Sequence, residues 1–168
     1  MAERYFGKYR GTVENNIDVQ GLGRIQVSVP SILGGTLGWA WPCVPFAGPQ
    51  VGFFAIPPRG AHVWVEFEGG DRDYPIWTGC FWGPGQAPVL PGPLGVMQTV
   101  IKTEKFTLLA DANPALPTMK LEMLIGGAVG AASITADQMG LTISAAGNTI
   151  LLGPTGVAIN KTNLMVMK

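Results

Sequence analysis

Charge is scarce in this sequence. Of 168 residues, 11 are Lys or Arg and 11 are Asp or Glu, a charged fraction of 13%, about half of the ~25% usual in soluble domains. The net charge is zero. A chain without a basic excess lacks the usual means of holding a nucleic-acid backbone. So little charge also invites association, which points to an obligate oligomer rather than a sticky monomer. Histidine occurs once, as His62, which excludes His-rich metal sites and His-based triads. Cysteine occurs twice, as Cys43 and Cys80, each in an apolar strand-like run. Their pairing is not deducible from sequence, and buried free thiols suit a product of the cytosol. No apolar run reaches the ~18 residues of a membrane span; the nearest, Met123–Ile134, is short and Gly-rich. Met1–Phe6 carries no apolar signal-peptide core. The expectation is a chain made in the cytoplasm that leaves by lysis or through a machine.

What is abundant is glycine (24) and proline (14), so turns are frequent and long helices are disfavoured. Between Leu124 and Asn160 a single charge, Asp137, interrupts an apolar, strand-prone stretch broken repeatedly by Gly. Such a stretch has to hide its surface against something, and copies of itself are the obvious cover. A symmetric β-structured rod follows, with Asp137 on an outside turn.

The Pro/Gly-rich residues 84–95 divide the chain into a unit over 1–83 and another over 96–168. In the first, Tyr5–Val13, Arg24–Val29, Trp39–Val44, Ala61–Glu68 and Pro75–Phe81 read as strands. Pro42 makes the third an edge or bulged strand. In the fourth, Ala61, Val63, Val65 and Phe67 share one face, and His62, Trp64, Glu66 and Glu68 the other. Five short strands with Gly/Pro turns suggest a small closed barrel; an OB-type barrel fits, and an SH3-like barrel fits nearly as well. In the second unit, Thr99–Thr103, Phe106–Leu109 and Met119–Ile125 read as strands. Gly140–Ser144 then matches Gly156–Asn160 at a spacing of 16, with Asn148–Gly153 halfway. A basic period near eight is implied, and units that short bury an apolar face only by stacking. The candidate inward residues are Leu141, Ile143, Ile150, Leu152, Val157 and Ile159, with the phase of the middle copy left open.

Several segments together resemble the central spike proteins of contractile injection systems: phage baseplate assembly protein V, the T-even phage spike and the VgrG proteins of type VI secretion. They are Arg10–Val13, Gly21–Val27, Trp39–Pro49, Gly52–Pro57, Val63–Asp71 and Pro75–Gly83. Ile101–Thr103 with Phe106–Asp111 resembles, more loosely, the start of that family's spike region. The resemblance implies an all-β chain, an N-terminal OB-fold barrel followed by an intertwined trimeric β-helix or β-prism, that acts mechanically at a tail tip. It implies a homotrimer, a trimeric hub protein at the base, a PAAR-type protein at the tip, passing contact with a target membrane, and tape-measure or cargo proteins as further partners. No inserted lysozyme-like domain separates barrel from prism, and no hub domain precedes the barrel, so the hub is expected to be another polypeptide. The C-terminus has no His-x-His motif, which favours a separate cap. Asn163, Leu164, Met165, Val166, Met167 and Lys168 are the expected cap-docking platform.

Candidate chemistry is sparse. Glu66 and Glu68 are neighbours on one strand, whereas glycosidic carboxylates face each other across a cleft. Asp71 and Asp73 flank Arg72 in a turn, with too few oxygen ligands for Ca²⁺. His62 has no nucleophile or second His nearby. Gly21-Leu22-Gly23 lacks the strand-to-helix setting of a phosphate loop. The five Trp residues suit core and subunit contacts; base stacking would need interleaved basic residues, and 39–58 has none. The expectation is a structural protein with no catalytic, cofactor or metal site and no nucleic-acid partner. The rivals are an OB-fold single-stranded nucleic-acid binder and an envelope-degrading tail enzyme.

Overall fold

A computed structural model describes residues 3–32, 35–90, 92–125, 128–160 and 164–167. The chain divides into two compact units, Met1–Ala87 and Pro88–Lys168. Each is taken by itself.

The first unit is a closed barrel. Its strands are β1 (Tyr9–Asn15), β2 (Ile25–Ser28) and β3 (Thr36–Pro42), then a small hairpin of β4 (Ala47–Gly48) and β5 (Val51–Gly52), then β6 (His62–Phe67) and β7 (Pro75–Phe81). The barrel order is β1-β2-β3-β7-β6, with β6 returning to β1. Every pairing is antiparallel except β3 with β7, which run parallel at Trp41–Ile76 and Pro42–Trp77. That order and closure make it a five-stranded OB-type barrel.

Alternation dictates the core. Val63, Val65 and Phe67 of β6 point inward and meet Val13, Ile25, Val27, Val29, Ala40 and Trp77. Each fully buried Val or Ile contributes roughly 1.5–3 kcal/mol. The first strand begins at Tyr9 rather than Tyr5, because Gly7 turns the chain at φ +86°. Tyr5 instead donates its amide to the Gly70 carbonyl (2.9 Å) and packs edge-on against Tyr9. The third strand runs Thr36–Pro42 rather than Trp39–Val44 and ends at Pro42, which has no donor to extend the ladder; its register shift against β2 lies between Gln26 and Ser28, away from Pro42. Cys43 and Cys80 are free thiols, but exposed rather than buried. Cys43 lies just beyond the end of β3, and Cys80 lies where the inward–outward alternation of β7 breaks down around Gly79.

The second unit opens with a 3-10 segment, Gly92–Met97. Eight antiparallel strands follow: β8 (Gln98–Lys102), β9 (Phe106–Asp111), β10 (Thr118–Ile125), β11 (Ala128–Asp137), β12 (Gly140–Ala145), β13 (Asn148–Gly153), β14 (Gly156–Ile159) and β15 (Leu164–Met167). They pair strictly in chain order, a meander within one chain. The strands β11 and β15 add to those expected from sequence. From β11 to β14 the hairpins close tightly: Asp137 pairs with Gly140, Ala145 with Asn148 and Gly153 with Gly156, leaving two residues in each turn. Ala146 and Gly147 both have positive φ (49° and 81°), as a type I′ turn demands. Asp137 sits at its turn as expected, exposed, its Oδ1 accepting the Met139 amide (2.8 Å).

Candidate functional site

Cross-strand partners share a face of a sheet, so the register of the second unit defines what each face carries. One row crosses all eight strands: Ile101, Leu108, Leu121, Ile134, Ile143, Ile150, Ile159 and Leu164. Two residues along each strand, on the same face, lies a second row: Thr99, Ala110, Met119, Ala136, Leu141, Leu152, Val157 and Val166. On the other face, the row beyond the first is polar, with Lys102, Thr107, Glu122, Ser133, Ser144 and Thr149, whereas the row between the two is mixed, with Val100, Leu109, Lys120, Thr135, Thr142, Leu151 and Ala158. On that face Lys120 and Glu122 form an ion pair (3.1 Å), and the Ser133 and Ser144 hydroxyls hydrogen-bond at 3.1 Å.

The apolar face has no cover. None of the unit's described residues is buried, and the ladder from Ile101 to Ile150 is substantially exposed. An isoleucine or leucine passing from that exposure to full burial contributes on the order of 1–2 kcal/mol. A contiguous apolar surface of this extent marks an interaction site.

All six candidate inward residues lie on this face. The middle copy has a defined phase: Ile150 faces Ile143 and Ile159, and Leu152 faces Leu141 and Val157. Turns recur every eight residues, but reversal at each turn makes facing residues fall alternately nine and seven apart, as in Ile134, Ile143, Ile150 and Ile159. Only strands of like direction repeat, at 16. Of the expected cap-docking residues, Leu164 and Val166 are exposed and continue the apolar rows on β15. Met165 and Met167 belong to the same strand, their side chains undescribed, and Asn163 and Lys168 lie outside the described residues.

The candidate chemical residues of the barrel are scattered. Glu66 is ion-paired with Lys8 (2.7 Å). Glu68 is not on its strand, which ends at Phe67; it opens a 3-10 turn, Glu68–Gly70. Asp71 accepts the Asp73 amide (3.1 Å), a turn contact, and neither carboxylate pairs with Arg72. Among the described residues no group of three His, Cys, Asp or Glu is placed to hold a metal. His62 stacks on Phe81 at 5.2 Å. Trp77 is buried and donates Nε1–H to the Gly23 carbonyl (3.1 Å).

Two arrangements escaped sequence reasoning. Asp18 is the hub of the loop between β1 and β2. Its carboxylate accepts the amides of Gln20, Leu22 and Arg24 (3.0–3.2 Å) and a two-pronged contact from the Arg24 guanidinium (2.8 and 3.1 Å). The Arg24 guanidinium, aided by those amides, holds the Asp18 carboxyl well below the usual carboxylate range, against the opposing effect of burial. The same guanidinium lies over Trp39 and Trp41 at 5.5 and 5.6 Å. The cation beside those two indoles is thus already neutralised. Elsewhere, Arg10 lies over Trp64 and Phe81 (5.6 and 5.5 Å), beside a groove of about 530 Å³ that His62 and Trp82 also line.

Strand order and parallel closure place the first unit among OB barrels, and its sequence narrows that further. Residues 9–82 match the type VI secretion system/phage-baseplate injector OB domain. A stretch of 59 residues is 44% identical to the actin cross-linking toxin VgrG1 of Vibrio cholerae serotype O1 (strain ATCC 39541 / Classical Ogawa 395 / O395). That match takes in 35% of this chain and 5% of the toxin's length.

Proposed function

We propose that this chain is the homotrimeric spike of a contractile phage tail or phage-tail-like injection particle, driven into a target envelope when the sheath contracts. The observation that carries the reading is the uncovered ladder of Ile and Leu across eight strands. In this reading three such sheets turn the Ile and Leu ladder to a common axis and the opposite face, which carries the Ser, Thr, Lys and Glu side chains, to water, a trimeric β-prism. The number three follows the likeness of the barrel to VgrG-like injectors. Backbone pairing along every strand, with few free edges, suits a body that must not unfold under load.

The barrel sits at the baseplate end, on a separate trimeric hub. Residues 84–95 form the linker and 96–168 the shaft. The exposed β15 strand receives a PAAR-type tip protein, and tape-measure or cargo proteins and the target membrane are met in passing. The chain's work is mechanical rather than enzymatic. Sedimentation of the full chain at micromolar concentration tests the core of this: a stable trimer is expected, and a folded monomer would sink the prism.

One observation favours a second reading. The Arg10–Trp64–Phe81 cluster combines a cation with aromatic rings, as single-stranded nucleic-acid sites do. Filter binding of single-stranded DNA at low salt separates the two; the spike reading expects no retention.

A further inference from the structure

The β6–β7 hairpin of the barrel carries complementary chemistry at its two ends. At the open end the register gathers aromatic rings and one cation on the outward face. Arg10 stands opposite Trp64, Thr12 opposite His62, and His62 opposite Phe81. The Arg10 guanidinium lies over Trp64 and Phe81 and takes part in none of the ion pairs among the described residues. Its neighbours in kind are committed: Lys8 is held by Glu66 (2.7 Å), and Arg24 by Asp18 (2.8 Å). The groove of about 530 Å³ beside Arg10 has no acidic residue in its walls. Trp82, which also lines it, is 68% exposed.

The turn end of the same hairpin supplies the complement. Glu68, Asp71 and Asp73 place three carboxylates there, and none is in an ion pair among the described residues. Arg72 lies among them, and Arg4 donates Nη1–H to the Gly69 carbonyl (2.9 Å). Three carboxylates against two guanidinium groups leave one negative charge over. The turn is well fixed: the Asp71 amide donates to the Glu68 carbonyl and the Tyr74 amide to the Asp71 carbonyl, each at 3.0 Å. Asp73 is exposed, and Tyr74 directly after it is 58% exposed. An exposed carboxylate beside an exposed ring matches a guanidinium beside an exposed indole.

The six residues of β6 keep the two ends about 20 Å apart, so no barrel satisfies itself. We propose that the barrels of neighbouring copies join head to tail, the Asp73–Tyr74 turn of one entering the Arg10–Trp82 groove of the next. The carboxylate meets the planar guanidinium fork, which suits it, and the phenol ring packs on the indole. The two joined surfaces differ, so the contact is heterologous and closes into a ring of copies. A single free cation answers a single carboxylate, whereas a nucleic-acid backbone calls for a row of cations. The contact rests on the trimer of the spike reading and gives the barrels an interface of their own, apart from the Ile and Leu ladder.

The test places the photo-crosslinking residue p-benzoylphenylalanine at Tyr74 of the full chain, irradiates the purified oligomer and maps the attachment in the two-chain conjugate by peptide mass. Attachment to residues 10–12 or 81–84 of another copy is expected. Attachment elsewhere on another copy, or no conjugate from a chain that sediments as a trimer, overturns the inference while leaving the spike reading standing. A chain that sediments as a monomer overturns both. As a second measurement, Arg10→Glu, at an exposed position, is expected to lower the conjugate yield about tenfold, the loss of a charge-assisted contact. Adding Asp73→Arg to the same chain restores opposite charges and should recover most of the yield. Full yield from Arg10→Glu alone, or no recovery in the double variant, counts against the contact.

Discussion

Ile143 and Ile150 stand directly opposite each other across β12 and β13, each 39% exposed in the single chain. Next to Ile143 in sequence, Ser144 points to the other face and bonds Ser133. Two adjacent residues thus probe opposite faces. Ile143→Asp is expected to abolish trimerisation, because three carboxylates would have to be buried together. Ser144→Asp should leave the trimer intact. Sedimentation of the two variants decides it: if both trimerise, the ladder does not face the axis.

The Asp18–Arg24 pair makes an acid-dependent prediction. The carboxyl is held below its unfolded value, near 4. Its contribution to barrel stability is fully present above that value and is lost as pH falls toward the depressed folded one. Urea midpoints measured from neutral pH down to about pH 2 should fall more steeply for the parent than for Asp18→Asn. At neutral pH the variant should have the lower midpoint. Parallel acid limbs would show that the pair does not hold the loop.

Glycine is required at one turn of the eight-stranded sheet and not at its partner. Gly140 has φ +125°, and a Cβ there would collide with the Leu152 carbonyl. At Gly153 the nearest atom is an ordinary 3.4 Å away, and φ is unexceptional. Gly140→Ala is expected to destabilise the sheet by at least ~1–3 kcal/mol, seen as a lowered melting temperature of the trimer. Gly153→Ala should change it little. Equal effects would mean that the β12–β13 register is not as described.

Removal of the last strand tests the tip. Deleting residues 164–168 exposes β14 as a new edge but leaves most of the ladder. The truncated chain is expected to remain trimeric and to stop co-purifying with a PAAR-type protein. Undiminished co-purification would move the docking platform elsewhere.

How much of this was legible depended on periodicity. The barrel was readable because Val63, Val65 and Phe67 alternate cleanly, and because the segments around Trp39–Pro49 and Pro75–Gly83 are distinctive. The strand β11 was not, since Ala128–Ala132 is built from small residues with little β-branched character, and only its pairing with β10 and β12 reveals it. The phase of β13 was hidden because a meander relates neighbouring strands by reflection at the turn, whereas a search for repeats looks for translation. Asp18 gave no sign of its role: its six-residue separation from Arg24 becomes a contact only when the intervening Gly21 and Gly23 take positive φ.

The meander also sets how such a sheet can change length. Each strand adds about 4.8 Å of width for eight residues of chain, and each turn reverses direction. Insertion of one eight-residue unit would leave the chain end on the opposite flank, whereas 16 residues restore its heading. Length is therefore quantised in steps of about 10 Å. A lineage could lengthen or shorten this sheet by whole hairpins without redesigning either end.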